Sequence, residues 1–460
     1  MNPRQFRFIT VFAVLGAVTW AQDDIEYKRI SISGQFDNGQ IVSGHTNDYD
    51  LGATKDVKLK GDFFTRTGVW ITQEAVIRQR LTLTMGVGGI FWYSLPINRT
   101  NVQTSQTQFG PGISQAQGTY VFGDLENPTA ALQMGLFPYK YNPDAKNLGE
   151  YLLRSGTYPG YLVTGGWNML NSAGYMVQGI RAGTSFWDNK ANVDLVFAME
   201  HDLPPLFSVT PALIGTVKPI PGLHLGAGVA LNHFLSTKPS KESPHVLDNQ
   251  IITGVTIDTG TGADYTYTYT RDTSSYYTFR GVKVSANASI DPKAYLPMSF
   301  LGPEDLKLYG EIAVLGWKNY SYLYEKRTER MPVMVGFNIP TFKLLDVLSI
   351  EGEYYNNQFV NNYRSLVYGS VPIWNLPGFD GSPVPVATYK AEQNNIKQDN
   401  WKWSLYGKKE VTKGISLYGQ VASDHIRTIT TENGPFPAFV PVTNRNGKEW
   451  YYIIRLDFGI

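Results

Sequence analysis

Apolar residues recur along this chain at a period of two, most regularly in its last third. Residues 280–290 set Val282, Val284, Ala286, Ala288 and Ile290 against Lys283, Ser285, Asn287 and Ser289. Residues 306–317 set Leu306, Leu308, Gly310, Ile312 and Val314 against Lys307, Tyr309, Glu311, Ala313 and Leu315. The pattern continues at 331–339, at 348–355 with Glu351 and Glu353 on one face, at 401–408 with Lys402 and Lys408, and at 415–424. In the terminal stretch Trp450, Tyr452, Ile454, Leu456 and Phe458 oppose Tyr451, Ile453, Arg455 and Asp457. Each such run predicts a strand with one apolar and one polar face.

The first half carries the same signal less evenly. Strands are expected at 25–33, 66–77, 80–94, 120–122, 128–138, 170–183, 191–200, 206–217 and 222–235, and the Gly/Asn/Asp-rich stretch 34–56 reads as loop or irregular edge. The connections alternate in length. Short turns fall near 78–79, 188–190, 218–221, 340–346 and 411–414; long ones fall at 95–117, 138–160, 236–274, 357–399 and 428–447. The run Tyr265 to Thr270 reads as a two-stranded ribbon inside one of these. Short turns at one end and long loops at the other predict an all-β fold, an antiparallel transmembrane β-barrel of about 14–16 strands with short periplasmic turns and long extracellular loops. A soluble sandwich gives no reason for that asymmetry. Within 138–160, residues 145–154 have helix-like spacing, with Leu148, Tyr151 and Leu152 on one side. This predicts a short amphipathic helix in a loop that folds inward, with Glu150 and Arg154 in the lumen.

Composition narrows the alternatives. The 460 residues carry a formal net charge of +1, so no basic excess favours nucleic acid as a partner. The absence of cysteine removes disulfides, thiolate nucleophiles and thiolate metal sites. With 29 Tyr, 23 Phe and 10 Trp the chain is rich in residues that suit sheets and interfacial girdles, such as Phe91-Trp92-Tyr93. Arg4 and Arg7, the apolar run Phe8 to Val18 and the small residue Ala21 predict a cleaved signal peptide over 1–21, leaving 22–460 as the barrel domain. No later apolar run is long enough to span a bilayer as a helix, so a membrane form of this chain requires a barrel.

Taken with Gly135-Leu-Phe-Pro-Tyr-Lys140, Asn147-Leu-Gly-Glu-Tyr-Leu-Leu-Arg154, Arg330-Met-Pro-Val-Met-Val335 and the aromatic terminal strand, the chain resembles porin-like outer-membrane β-barrel proteins of Gram-negative bacteria. In that family the terminal signal usually ends on an aromatic residue; here Phe458 is followed by Gly459 and Ile460. The resemblance implies an outer-membrane location, lipid as surroundings, and passive diffusion of small hydrophilic solutes or ions. It also admits a homo-oligomer. The alternative is a structural or adhesive barrel with a filled lumen and ligand-binding surface loops, an arrangement that the small and aromatic inner residues Gly86, Gly88, Tyr309, Tyr406 and Tyr418 leave open.

No constellation for chemistry emerges. Glu351 and Glu353 at i and i+2 sit roughly 7 Å apart, within the range of carboxylate-pair glycosidases, but read better as wall charges opposite lysines on other strands. Six histidines stand at no metal-ligand spacing, and no nucleophile elbow, phosphate-cradling loop or dinucleotide fingerprint occurs. The expectation is therefore no enzyme, no cofactor and no metal. The pore-lining candidates are Glu74, Lys283, Lys307, Glu311, Glu351, Glu353, Lys402, Lys408, Arg455 and Asp457, with Asp194, Glu200 and Asp424 as further inner charges.

Overall fold

The structure is a computed structural model, and it describes residues 25–47, 56–94, 106–125, 128–153, 176–199, 208–232, 234–235, 248–259, 265–278, 281–295, 298–317, 326–354, 401–423, 426–430, 438–442 and 448–460. In chain order its strands are β1 (Ile25–Asn47), β2 (Asp56–Leu59), β3 (Asp62–Ile77), β4 (Leu81–Ser94), β5 (Gln106–Gly123), β6 (Pro128–Pro138) and β7 (Met176–Phe186). There follow β8 (Ala191–Met199), β9 (Val209–Val217), β10 (Leu223–Asn232), β11 (Asp248–Thr259), β12 (Tyr265–Thr278), β13 (Gly281–Ile290) and β14 (Leu308–Val314). The last are β15 (Val333–Asn338), β16 (Val347–Tyr354), β17 (Trp401–Thr412), β18 (Ile415–Ala422), β19 (Ile426–Thr430), β20 (Ala438–Val442) and β21 (Trp450–Gly459).

Pairing is antiparallel throughout, each strand with its neighbours in the chain, and the ring shuts where β21 pairs with β1 from Ser33↔Gly459 to Ser43↔Trp450. The result is a closed barrel of 16 strands. The short β2 continues the line of β3 and pairs with the end of β1, while β11–β12 and β19–β20 form separate two-stranded hairpins that take no part in the ring. Closure satisfies every strand edge, the condition for a sheet that has no water on its outside. The seam is fastened twice. Ile32 and Ile460 exchange backbone hydrogen bonds of 3.1 and 2.8 Å, and the Arg455 guanidinium grips both oxygens of Asp37 from within.

Burial is inverted relative to a soluble protein. Outward positions are apolar and exposed: Met85 (56 %), Met134 (60 %), Val335 (53 %) and Ile454 (53 %) stand on four different walls. Inward positions are polar or charged and buried, among them Gln35, Asp37, Arg66, Lys283, Glu311, Glu351, Glu353 and Lys402. Burying charge while exposing aliphatic surface is unfavourable in water and favourable only when the outer surroundings are themselves apolar. No helix among the described residues is long and apolar enough to cross a membrane.

Three expectations need correction. The stretch 34–47 is not loop but the second half of β1, because its Gly, Asp and Asn residues face a sheet on both sides; Gly39, for instance, lies beneath the Phe64 ring. Residues 106–117 belong to β5, which pairs with β4 through a bulge at Gly86/Val87, and not to a long connection. Residues 145–153 form no helix. The ribbon expected around Tyr265 exists as β11–β12. The signal peptide, Arg154, Glu200 and Asp424 lie outside the described residues.

Gly135 in β6 has φ +123°, and an added Cβ would stand 2.1 Å from the Ala116 carbonyl oxygen on β5. Neither strand can retreat within a closed ring. Gly135→Ala is expected to cost about 2 kcal/mol or more, given the usual strain of such backbone conformations, read as a lowered urea midpoint of the detergent-refolded barrel.

Candidate functional site: a lumen segment held by wall carboxylates

Strands β13 to β17 bring five inner side chains into one lateral row: Asn287, Glu311, Met334, Glu353 and Lys402, each the direct partner of the next. Glu351 stands two residues from Glu353 on the same face, in register with Gly336 and Ser404. Three carboxylates are thus gathered on one patch of inner wall. In a desolvated interior such a patch needs donors.

The donors come from the chain that leaves β6. Residues 139–153 turn into the barrel, and their backbone N–H groups from Lys146 to Tyr151 all point at the patch. Lys146, Asn147 and Leu148 donate to Glu351, the last two at 2.8 and 2.9 Å; Gly149 donates to Glu353 at 3.1 Å; Glu150 and Tyr151 donate to Glu311 at 3.0 and 3.1 Å. Side chains add to the same oxygens. The Tyr141 hydroxyl (2.6 Å) and the Asn142 amide (2.8 Å) donate to Glu311, the Tyr151 hydroxyl to Glu353, and the Tyr309 hydroxyl (2.9 Å) to Glu351. A helix would spend these N–H groups on its own carbonyls. Here Gly149 (φ +80°) and Glu150 (φ +61°) turn left-handed and aim them outward, forming a concave row of donors that suits an anion. Gly149 also sits so close to the Met334 side chain that a Cβ would lie 2.7 Å from its methyl carbon.

Apolar packing completes the anchorage on both sides. Ala145, Leu148 and Tyr151 pack with Tyr309, Ala313, Leu315 and Met334, while Tyr139, Tyr141, Leu152 and Leu153 pack with the inner wall of β6 to β10. The segment is therefore held against two neighbouring stretches of the inner wall. Glu150 is buried and accepts from the Asn142 N–H, and Lys140 donates to the Ala145 carbonyl. Burial pushes the Lys140 ammonium down, partly offset by Glu150, and pushes the Tyr141 hydroxyl well up, with Glu311 adding to it.

Beneath the segment lies a cleft of about 710 Å³ at the short-turn end, walled by β7 to β10 and their turns. Its roof is Tyr139 to Asp144; Arg181, Asp194, His224 and Lys307 line its sides. Arg181 reaches Asp194 with Nε and Nη2, both at 2.9 Å, and the Tyr139 hydroxyl donates to the second Asp194 oxygen at 2.9 Å. Asp144 lies 3.6 Å from Lys307; burial would raise its carboxyl, but the Ser289 hydroxyl and the nearby lysines hold it below its usual value.

The remaining sequence-derived candidates are placed as follows. Glu74, Lys408 and Asp457 are half-buried on the inner face, Lys408 over the Tyr418 ring at 5.3 Å and Asp457 3.8 Å from Arg455. Lys283 and Lys402 are fully buried on the inner wall. Lys307 stands in the turn just before β14, not on the strand, and pairs with Glu304 at 2.7 Å. Asp37, Arg66, Tyr141 and Asn142 carry no sequence signal that marks them as inner groups. Among the described residues no cluster of His, Asp and Glu has metal-binding geometry.

The turn bearing Lys307 is tied to the β15–β16 turn by Asp305, whose oxygens accept from the backbone N–H groups of Gly302 (2.8 Å), Thr341 (3.2 Å) and Phe342 (3.2 Å) and from the Thr341 hydroxyl (3.3 Å). Burial works to raise the Asp305 carboxyl, but these hydrogen bonds outweigh it and hold it below its ordinary value.

No protein-family model matches the chain, and no curated protein matches it. Among solved structures, one mutant of the Rh. blastica porin superposes with a TM-score of 0.40 at 8% identity, covering 95% of this chain and 100% of that one. A triple mutant of the Rhodopseudomonas blastica porin gives a TM-score of 0.39 at 8% identity, with the same coverage. The strand count and closure rest on this chain's own pairing.

Two outcomes are expected. Glu351→Gln leaves one oxygen too few for the N–H groups of 146–148, so their amide hydrogen exchange should accelerate by about 10–100-fold, with the outer strands unchanged. Asp305→Asn should destabilise the barrel by about 1–2 kcal/mol at neutral pH. Because the folded carboxyl titrates below its ordinary value, that contribution is complete above the ordinary value of 3.8 and disappears as pH falls through the depressed one. Wild-type and variant urea midpoints should therefore converge on acidification from pH 5.

Proposed function

We propose that the barrel sits in the bacterial outer membrane, reached by way of the N-terminal signal, and conducts small hydrophilic solutes or ions past the inward segment. One observation carries the reading. A closed ring with an apolar exterior holds, inside it, a segment fixed by charge-assisted hydrogen bonds to the inner wall, so any path through must pass beside that segment. Sixteen strands suffice for an aqueous channel when the interior is not filled. The polar groups of the inner face (Glu74, Lys408 and Asp457 toward the short-turn end, and Lys283 and Lys402 on the wall) would set ion preference, and the segment itself would set the size limit.

A second reading has its own support. Gln35, Asp37, Ser404, Gln420, Tyr451 and Ile453, on the wall that runs from beside the carboxylate patch to the seam, are each buried to 1 % exposure or less. That degree of burial suits a filled lumen, in which case the barrel is a scaffold for its long connections.

Planar-bilayer recording on the refolded barrel separates the two. The channel reading predicts stable current steps, and predicts that the triple change of Glu311, Glu351 and Glu353 to Gln raises the mean conductance or adds rapid flicker as the segment loosens. A folded, heat-modifiable wild-type barrel that carries no current in either form would leave the scaffold reading standing.

A further inference from the structure

The cleft beneath the inward segment is not neutral. Most of its charges are already matched: Arg181 with Asp194, Lys307 with Asp144 and Glu304, and Asp291 with Lys293 at 2.8 Å. Two cations on its rim are different. Lys190 ends the β7–β8 turn and Lys218 begins the β9–β10 turn, and neither enters an ion pair among the described residues. The Lys218 N–H donates to the Lys190 carbonyl at 2.7 Å, so the two residues stand side by side on adjacent turns. Beside them Pro219, Ile220, Pro221 and Leu223 give the lining an apolar part, next to the polar Asn192, Thr216 and His224. A concave site of about 710 Å³ has the size of a small-molecule pocket.

The geometry points to a binding site for a small organic dianion, a phosphate monoester with a compact apolar body, whose head lies between Lys190 and Lys218. Lysine serves phosphate as a point charge, and two adjacent lysines match a double negative charge. Low-dielectric walls focus the field of those lysines into the cleft, which raises the local concentration of anions at the mouth. The apolar turn residues give the organic part a surface that inorganic phosphate cannot use. The ring of strands separates the cleft from the outer surface, so its ligand is a soluble molecule and not a lipid headgroup. The inference rests on the reading of the lumen as a solute passage, for which this site is the loading point at the short-turn end.

Binding can be measured without current. Calorimetry on the full chain folded in detergent, titrated with phenyl phosphate, should show saturable binding at low salt. Phenol and inorganic phosphate should each bind at least about tenfold more weakly, since each lacks one half of the recognition. The K190Q/K218Q double variant should weaken phenyl phosphate binding by about tenfold, while K413Q, an exposed lysine in the β17–β18 turn away from the cleft, should leave it unchanged. Saturable binding that survives K190Q/K218Q, or phenol binding as well as phenyl phosphate, would overturn the site. Absence of binding in a barrel that carries current would also overturn it and leave the passage standing. Lysine-dependent binding in a silent barrel would keep the site and remove the passage.

Discussion

Everything inside this barrel depends on three carboxylates finding enough hydrogen-bond donors. Glu311, Glu351 and Glu353 are shut away from water, and isolated ionised groups in such a place would be strongly unfavourable. The chain solves two problems together. An irregular segment in a lumen has backbone N–H groups with no secondary structure to satisfy them, and a charged wall has acceptors with no solvent. Each supplies what the other lacks. Hydrogen bonds to charged acceptors are roughly twice as strong as neutral ones, so the backbone holds the segment together with the side-chain donors Tyr141, Asn142 and Tyr151. At Gly149 the backbone conformation and the closeness of Met334 leave no room for a side chain.

The wall itself follows from a simpler constraint. A strand offers alternate residues to its two faces, and closure into a ring makes one of these faces the exterior everywhere. Aliphatic residues on that face then need an apolar medium, and polar residues on the other face need one another. The buried pair Asp37–Arg455 at the seam and the packed clusters around Tyr151 and Leu152 are two answers to the second need.

Much of this was legible in the residues, and the limits have physical causes. Alternation identifies which side chains share a face, so Glu351, Glu353, Lys402 and Arg455 are assigned inward by pattern alone. Lateral register is another matter. Nothing in the sequence places Glu311 level with Glu353 across Met334, because register depends on turn geometry and on bulges such as the one at Gly86. The helix expected at 145–154 fails for a related reason. Leu148 and Tyr151 do share a destination, but Leu152 packs into a different cluster on the neighbouring stretch of wall, and the left-handed Gly149 and Glu150 let the backbone divide them. Composition misled at 34–47 and 106–117, where Gln35, Asp37 and Gln117 are lumen-facing strand residues. The cleft was beyond sequence altogether, since its lining comes from residues 139 to 307.

The seam between β1 and β21 has a consequence for how such a chain is made. Asp37 and Arg455 are 418 residues apart, and the clamp on Glu351 joins groups more than 200 residues apart. Contacts this distant form late. Until the last strand arrives, β1 lacks the partner that would cover its second edge, and the unfinished sheet presents two open rows of backbone donors and acceptors to any neighbour. A chain cut anywhere before Trp450 is therefore not a smaller barrel but a sheet with sticky margins. Its fate is to pair with other copies or to be degraded, and the ten residues of β21 are the part of the protein that makes it a single molecule.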